Sequence, residues 1–249
     1  VLNNRGYLSD DIKRRVDDAV SELGYRPNEI ARSLIGQRST LVGLIVPTVA
    51  DPFFGELASH VEGALATRGY KMLLCDCHDT PDNLTGGVLA TEHLIARGSR
   101  SAVHLTATDH PGNQRAAAYR ERMRAHDLEP RVMAYGYDTS LDERRAAIET
   151  WLTVNACDGV FASDDLTALM ALEWARKTGR RVPDDLRIVG YDGASALQLA
   201  VPGLTTVRQP IERMATRAVD LLLERMTDAT AGAAAEQPLP VALRHGWTS

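Results

Sequence analysis

The chain has 249 residues, of which 44% are hydrophobic and 24% charged, and a formal net charge of -5. That length supports a sizeable core in one large or two modest domains, and the negative balance argues against a protein that coats nucleic acid over its whole surface. The three cysteines are an odd number in a chain too large to need disulfide staples, which suits a reducing compartment. The sequence has no apolar stretch long enough to span a bilayer, and "VLNNRGYLSDDIKRR" is too polar for a signal peptide, so a cytoplasmic address and no membrane contact are expected.

The charge is unevenly spread. Residues 1–38 carry seven Lys or Arg against six acids, a net of +1, so the remainder nets -6. Ser9 followed by Asp10 and Asp11 forms a helix start, and Ile12, Val16, Ala19, Val20 and Leu23 repeat at helical spacing up to Gly24. This helix is amphipathic and short, as expected for the end of a small helical domain. A second fragment starts at Pro27 and Asn28 and ends at Gly36. At about seven residues it is too short to hold a helix alone, because nucleation is costly and isolated helices below roughly 12 residues are marginal. Something must fold it when it is needed.

From Thr40 the pattern changes. "TLVGLIVP" is a continuous apolar run of the kind buried on both faces of a parallel sheet. A helix follows with Phe54, Leu57, Val61, Ala64 and Leu65 on one face and Gly69 at its end. Strands and helices then alternate: strand "KMLLCDC", helix "GGVLATEHLIARG", strand "SAVHLTA", helix "NQRAAAYRERMRAH", strand "RVMAY", helix "LDERRAAIETWL", strand "DGVFAS", helix "DDLTALMALEWARKTG", strand "LRIVGYD". The tail adds "LTTVRQP", a helix through Met214, Ala218, Leu222 and Met226, and a final strand "VALRH". This alternation predicts an α/β fold with two doubly wound parallel-sheet subdomains.

In open α/β sheets the ligand sits beyond the carboxyl ends of the strands. The residues there are Asp51, Phe53 and Phe54 after the first strand, Asp109 and Arg115 after "SAVHLTA", Tyr137 after "RVMAY", Ser163 and Asp165 after "DGVFAS", and Asp192 at "LRIVGYD". Aromatics with a few carboxylates and one guanidinium suit a polyhydroxylated small molecule, since charged groups grip hydroxyls while rings stack on the apolar face. The alternative for each residue alone is a solvated loop position or a cap of the next helix, as Ser163 could be.

The chain resembles the lactose-repressor family of bacterial transcription regulators. "ELGYRPNEIARSL", "VGLIVPTVADPFF", "ATEHLIARG", "VPDDLRIVGYD" and "LTTVRQP" carry the likeness, in order and over nearly the whole length. The resemblance implies a homodimeric repressor with the end of a helix-turn-helix domain at 1–26, a hinge helix at 27–38, and an effector-binding, dimerising core of periplasmic-binding-protein type at 39–249. In that core an N-subdomain comprises about 39–82 and 208–228, and a C-subdomain about 83–206 and 237–249. It assigns Asn28, Ala31, Arg32 and Leu34 to operator DNA, with Leu34 wedged into the minor groove, and implies a palindromic operator. It also matches Arg115 and Asp192 to the ligand-gripping pair and Tyr137 to a stacking aromatic.

Two departures from the family accompany this reading. The segment that reads base edges would precede residue 1. The strand ending at Cys77 also runs almost directly into the helix after Thr85, where a doubly wound subdomain needs about 35 to 45 further residues. No Gly-rich phosphate loop, H-E-x-x-H or G-x-S-x-G motif is present, so no enzyme, cofactor or metal site is expected. Cys75, Asp76, Cys77 and His78 could be taken for a metal cluster, but Cys75 and Cys77 share one face of a strand and His78 lies on the other, which favours core cysteines. The rival reading is a periplasmic-type sugar-binding protein.

Overall fold

The computed structural model describes residues 9–22, 40–46, 51–76, 84–109, 113–136, 139–227 and 239–249. The hinge fragment with Asn28, Ala31, Arg32 and Leu34, the vicinity of Cys77, and Tyr137 lie outside the described residues. The chain divides into two compact units, Val1–Val42 and Gly43–Ser249. In the first unit, helix α1 spans Asp10–Glu22, with Asp10 and Asp11 in its first turn. Acids there complement the positive end of the helix dipole, and Arg14 closes an ion pair with Asp11 at 2.8 Å.

Strand β1 (Leu41–Val46) leads into the second unit, where α2 (Pro52–Ala66), β2 (Lys71–Asp76), α3 (Leu84–Ala96), β3 (Ala102–Thr106), α4 (Gln114–Ala125), β4 (Val132–Ala134) and α5 (Leu141–Val154) follow in order. They are succeeded by β5 (Gly159–Ala162), α6 (Asp165–Lys177), β6 (Arg187–Asp192), α7 (Ser195–Ala200), β7 (Thr206–Arg208), α8 (Ile211–Thr227) and β8 (Ala242–Arg244).

The larger sheet has the order β4-β3-β5-β6-β7-β8. Its strands are parallel, in registers such as Val103 opposite Val160 and Val160 opposite Ile188, except that β8 pairs antiparallel with β7. Successive residues of a strand face opposite sides, and both sides are covered. Val103, Leu105, Val160 and Ile188 pack on one face with Ile148 and Leu152 of α5 and Trp174 of α6. Ala102, Phe161, Val189 and Tyr191 pack on the other with Leu94 of α3 and Tyr119 and Met123 of α4. Two-sided burial is why these strands read as unbroken apolar runs.

The smaller sheet consists of β1 and β2. Helix α2 packs against β2 and α8, and Arg68, just past the end of α2, bonds Asp220 of α8 at 2.6 Å. Ile45 and Leu73 on these strands remain 64% and 53% exposed, so one apolar side of this sheet is uncovered among the described residues. Helix α7 is an addition to the elements expected above; six residues give too little periodicity to stand out.

Candidate ligand-binding site

The carboxyl ends of β3, β5 and β6 bring a polar group together, and local rules of helix starting place its members. After β1, Asp51 caps α2, accepting from the Phe53 amide at 2.9 Å, with Pro52 in the first turn. After β3, Asn113 caps α4 by accepting from the Ala116 amide at 3.0 Å, and its amide donates to Thr106 Oγ1 at 3.0 Å and to the Thr108 carbonyl at 2.9 Å. That fixes Arg115 in the first turn. After β5, Asp164 caps α6, accepting from the Thr167 amide at 2.6 Å.

Arg115 is held on three sides. Its Nη1 donates to the Ser163 carbonyl, its Nη2 lies 3.8 Å from Asp192 Oδ1, and its guanidinium sits 3.6 Å above the Tyr191 ring. Asp192 ends β6 with φ 97°, a conformation costly for any residue but glycine and one that concentrates at functional sites. Gln209 supports it twice: Gln209 Nε2 donates to Asp192 Oδ1 at 2.7 Å, and the Gln209 amide to the Asp192 carbonyl at 3.0 Å. Burial pushes the Asp192 carboxyl well above the usual carboxylate range, against the opposing pull of Arg115. Two glycines make room: a Cβ on Gly86 would overlap the Tyr191 hydroxyl, and one on Gly87 would lie 3.1 Å from Arg115 Cα.

Beside this pair stands a second group. The Tyr135 hydroxyl lies 3.0 Å from Ser163 Oγ, 3.2 Å from Thr167 Oγ1 and 3.3 Å from Asp164 Oδ2. Arg144 of α5 sits 4.6 Å above the Tyr135 ring, with Nη1 3.7 Å from Asp164 Oδ2. Asp51, from the side of the smaller sheet, feels these groups: burial and the Asp164 charge raise its carboxyl to about 6, while the Phe53 amide, Arg144 and Arg115 pull the other way. The start of α2 thus lies close to the strand ends of the larger sheet, and Glu56 of α2 bonds Ser195 beyond β6.

Of the expected residues, Asp51, Arg115, Ser163 and Asp192 gather here. Phe53 is buried at the start of α2, with Phe54 edge-on at 4.9 Å. Two other expected residues already have partners within the chain. Asp109 is exposed and bonds Arg120 of α4. Asp165 is 1% exposed and its carboxylate is already engaged, accepting from Thr206 Oγ1 and from the Gly193 amide at 2.9 Å. It ties the ends of β6 and β7 together, and burial raises its carboxyl to about 7. Ser163 does not cap α6; Asp164 does. Tyr135, Arg144, Asp164 and Gln209 were missed by sequence reasoning, and only Tyr135, two residues before Tyr137, carried a readable signal.

A doubly wound sheet whose strand ends hold a guanidinium, buried carboxylates and aromatic rings defines a ligand-binding α/β protein. Residues 91–248 match the family model described as a periplasmic binding protein-like domain. The chain is 33% identical to the sucrose operon repressor of Pediococcus pentosaceus, over 100% of this chain and 94% of the relative. It is 30% identical to the ribose operon repressor of Halalkalibacterium halodurans, over 91% and 85%. The crystal structure of the lac repressor dimer bound to operator and the anti-inducer ONPF has a TM-score of 0.82 at 19% identity, covering 99% of this chain and 92% of that one. The chain belongs to the lactose-repressor family of transcriptional regulators. The match to the sucrose operon repressor runs over 305 positions, more than the 249 residues of this chain, so that relative carries residues that this chain lacks within the matched span.

Proposed function

We propose that the protein is a homodimeric, cytoplasmic repressor whose affinity for a palindromic operator is set by a small sugar or related metabolite held between the two sheets. The carrying observation is the buried Arg115–Asp192 pair, with Asp192 in a strained backbone conformation, in a chain of this family. Arg115 offers a planar fork to vicinal hydroxyls and Asp192 accepts from them, while Asp51 and Phe53 present the opposite wall. Effector binding shifts the angle between the N- and C-subdomains and so the spacing of the hinge helices at 27–38 in the dimer, changing the population that binds DNA. The relatives' names as sugar-operon repressors support this regulator over a periplasmic-type sugar-binding protein. Among the described residues no helix is long and apolar enough to cross a membrane.

The test is a mobility shift on palindromic sites flanking the protein's own gene, using the full-length gene product with and without ribose, sucrose and glucose. A sugar-dependent change in operator affinity is expected. Binding that no sugar alters, or sugar binding with no specific DNA binding, would contradict the proposal.

A further inference from the structure

A second group of cations gathers at the amino-terminal edge of the larger sheet, away from the Arg115–Asp192 pair. Arg187 opens β6 and Asp192 closes it, six residues in all, so the two ends stand about 16 Å apart. Alternate residues of a strand share a face, and Arg187 lies on the side of Val189 and Tyr191, which α3 covers. Its guanidinium reaches the end of that helix: Arg187 Nη2 lies 3.8 Å from where a Cβ on Gly98, at φ 96°, would stand. Arg97 is the residue before Gly98, and His93 lies one turn earlier on α3.

The segment after β8 completes the group. The Thr248 carbonyl accepts from the Ile188 amide at 2.8 Å, its hydroxyl donates to the Ile188 carbonyl at 2.8 Å, and the Thr205 amide donates to Thr248 Oγ1 at 3.0 Å. That pins Ser249 at the start of β6, with its Oγ 2.8 Å from His93 Nε2. His245, on the same segment, has its ring 5.1 Å from that of His93.

Among the described residues no carboxylate pairs with Arg97 or Arg187, and the acids close by are engaged. Asp158, whose carbonyl accepts from the Arg187 amide, accepts through its carboxylate from the Arg100 and Ser101 amides at 2.7 and 2.9 Å. Asp184 and Asp185 pair with Arg181, and Glu92 pairs with Arg122 and His126. Burial and the like charges of His245 and Arg97 hold the His93 pKa down at about 4, with no acid acting against them. The dipole of α3 accounts for a basic residue at its end, but not for Arg187 on a strand or His245 beyond another.

We infer that this cluster binds a small phosphate-bearing anion at a site separate from the effector site, with Arg97 and Arg187 supplying charge and His93 and Ser249 hydrogen bonds. Guanidiniums suit a tetrahedral oxyanion because each can bond two of its oxygens at once. A phosphate dianion matches two guanidiniums in charge, which a carboxylate does not, and it relieves the repulsion between them.

The test is titration of the protein with orthophosphate and with glycerol 3-phosphate, against chloride at equal ionic strength, read by calorimetry and by the histidine ring-proton NMR signals. At least one phosphate should bind saturably and move the His93 and His245 signals, identified by their loss in His93→Asn and His245→Asn. Which of the two binds more tightly tells a free phosphate from a phosphate ester. The double variant Arg97→Gln, Arg187→Gln should keep the parent's thermal transition and bind about tenfold more weakly or worse. Arg213→Gln, which removes a charge from α8, should bind as the parent does. Phosphates that act no more than chloride, or that bind with both histidine signals unmoved, overturn the inference. So does parent-like affinity in the double variant, or an equal loss in Arg213→Gln.

Discussion

Glu56 of α2 caps helix α7 from across the crevice. Its Oε2 accepts from the Ser195 amide at 2.6 Å and its Oε1 from Ser195 Oγ at 2.9 Å, while Ala194, the residue in the N-cap position, makes no side-chain cap bond. The first turn of α7 on the larger sheet's side therefore depends on a carboxylate from the smaller sheet's side. Because a cap contributes about 1 kcal/mol and this one exists only when the two sides are close, it favours the closed arrangement. Glu56→Ala should weaken effector binding several-fold and Ser195→Ala less, since the latter keeps the amide bond. Titration calorimetry reads both, and equal affinity in Glu56→Ala and the parent would deny the cap any part in closure.

Gly86 is required by Tyr191. The ring is fully buried, and a Cβ on Gly86 would overlap its hydroxyl. Gly86→Ala should cost about 1 to 3 kcal/mol through overpacking. It should also weaken effector binding, because Tyr191 carries the Arg115 guanidinium. Urea unfolding with calorimetry checks both; a variant as stable as the parent would mean that α3 shifts without penalty.

His104 on β3 is fully buried, stacked on Phe161 at 4.4 Å, and bonded through Nδ1 to the Phe161 carbonyl at 2.9 Å. That bond makes Nδ1 the donor and by itself favours the charged ring, but burial outweighs it and keeps the ring neutral. Burial holds its pKa down at about 3. The unfolded chain takes up the proton from about pH 6.5 downward and the folded one does not. Stability from this group is thus complete above pH 6.5 and falls as pH drops towards 3, by at most about 1.4 kcal/mol per pH unit. His104→Phe should flatten the loss of stability between pH 6.5 and 4, measured by urea midpoints. An acid limb parallel to the parent's would refute this assignment.

Much of this was legible in the sequence. Strands buried on two faces announce themselves as apolar runs, and Asp51–Pro52 reads as a helix start, so the larger sheet and the positions at its strand ends follow from local pattern. The direction of a side chain after the strand does not. Asp109 and Asp165 sit at the right places by topology, yet a neighbouring guanidinium claims one and Thr206 with the Gly193 amide claims the other. Those partners are distant or incidental in sequence. Arg144 and Gln209 reach the crevice from a helix and a connecting segment, where periodicity marks packing faces but not what a long polar side chain touches.

Arg115 and Asp192 are the residues proposed to hold the effector. The most direct measurement is calorimetric titration of one neutral sugar that binds the parent protein into Arg115→Ala and Asp192→Ala, each first shown to be folded by its thermal transition. Each should lose about 2 kcal/mol or more, roughly thirtyfold in affinity, because the ligand's hydroxyls are left unpaired against largely buried groups. Parent-like affinity in both variants would contradict it and place the binding site elsewhere.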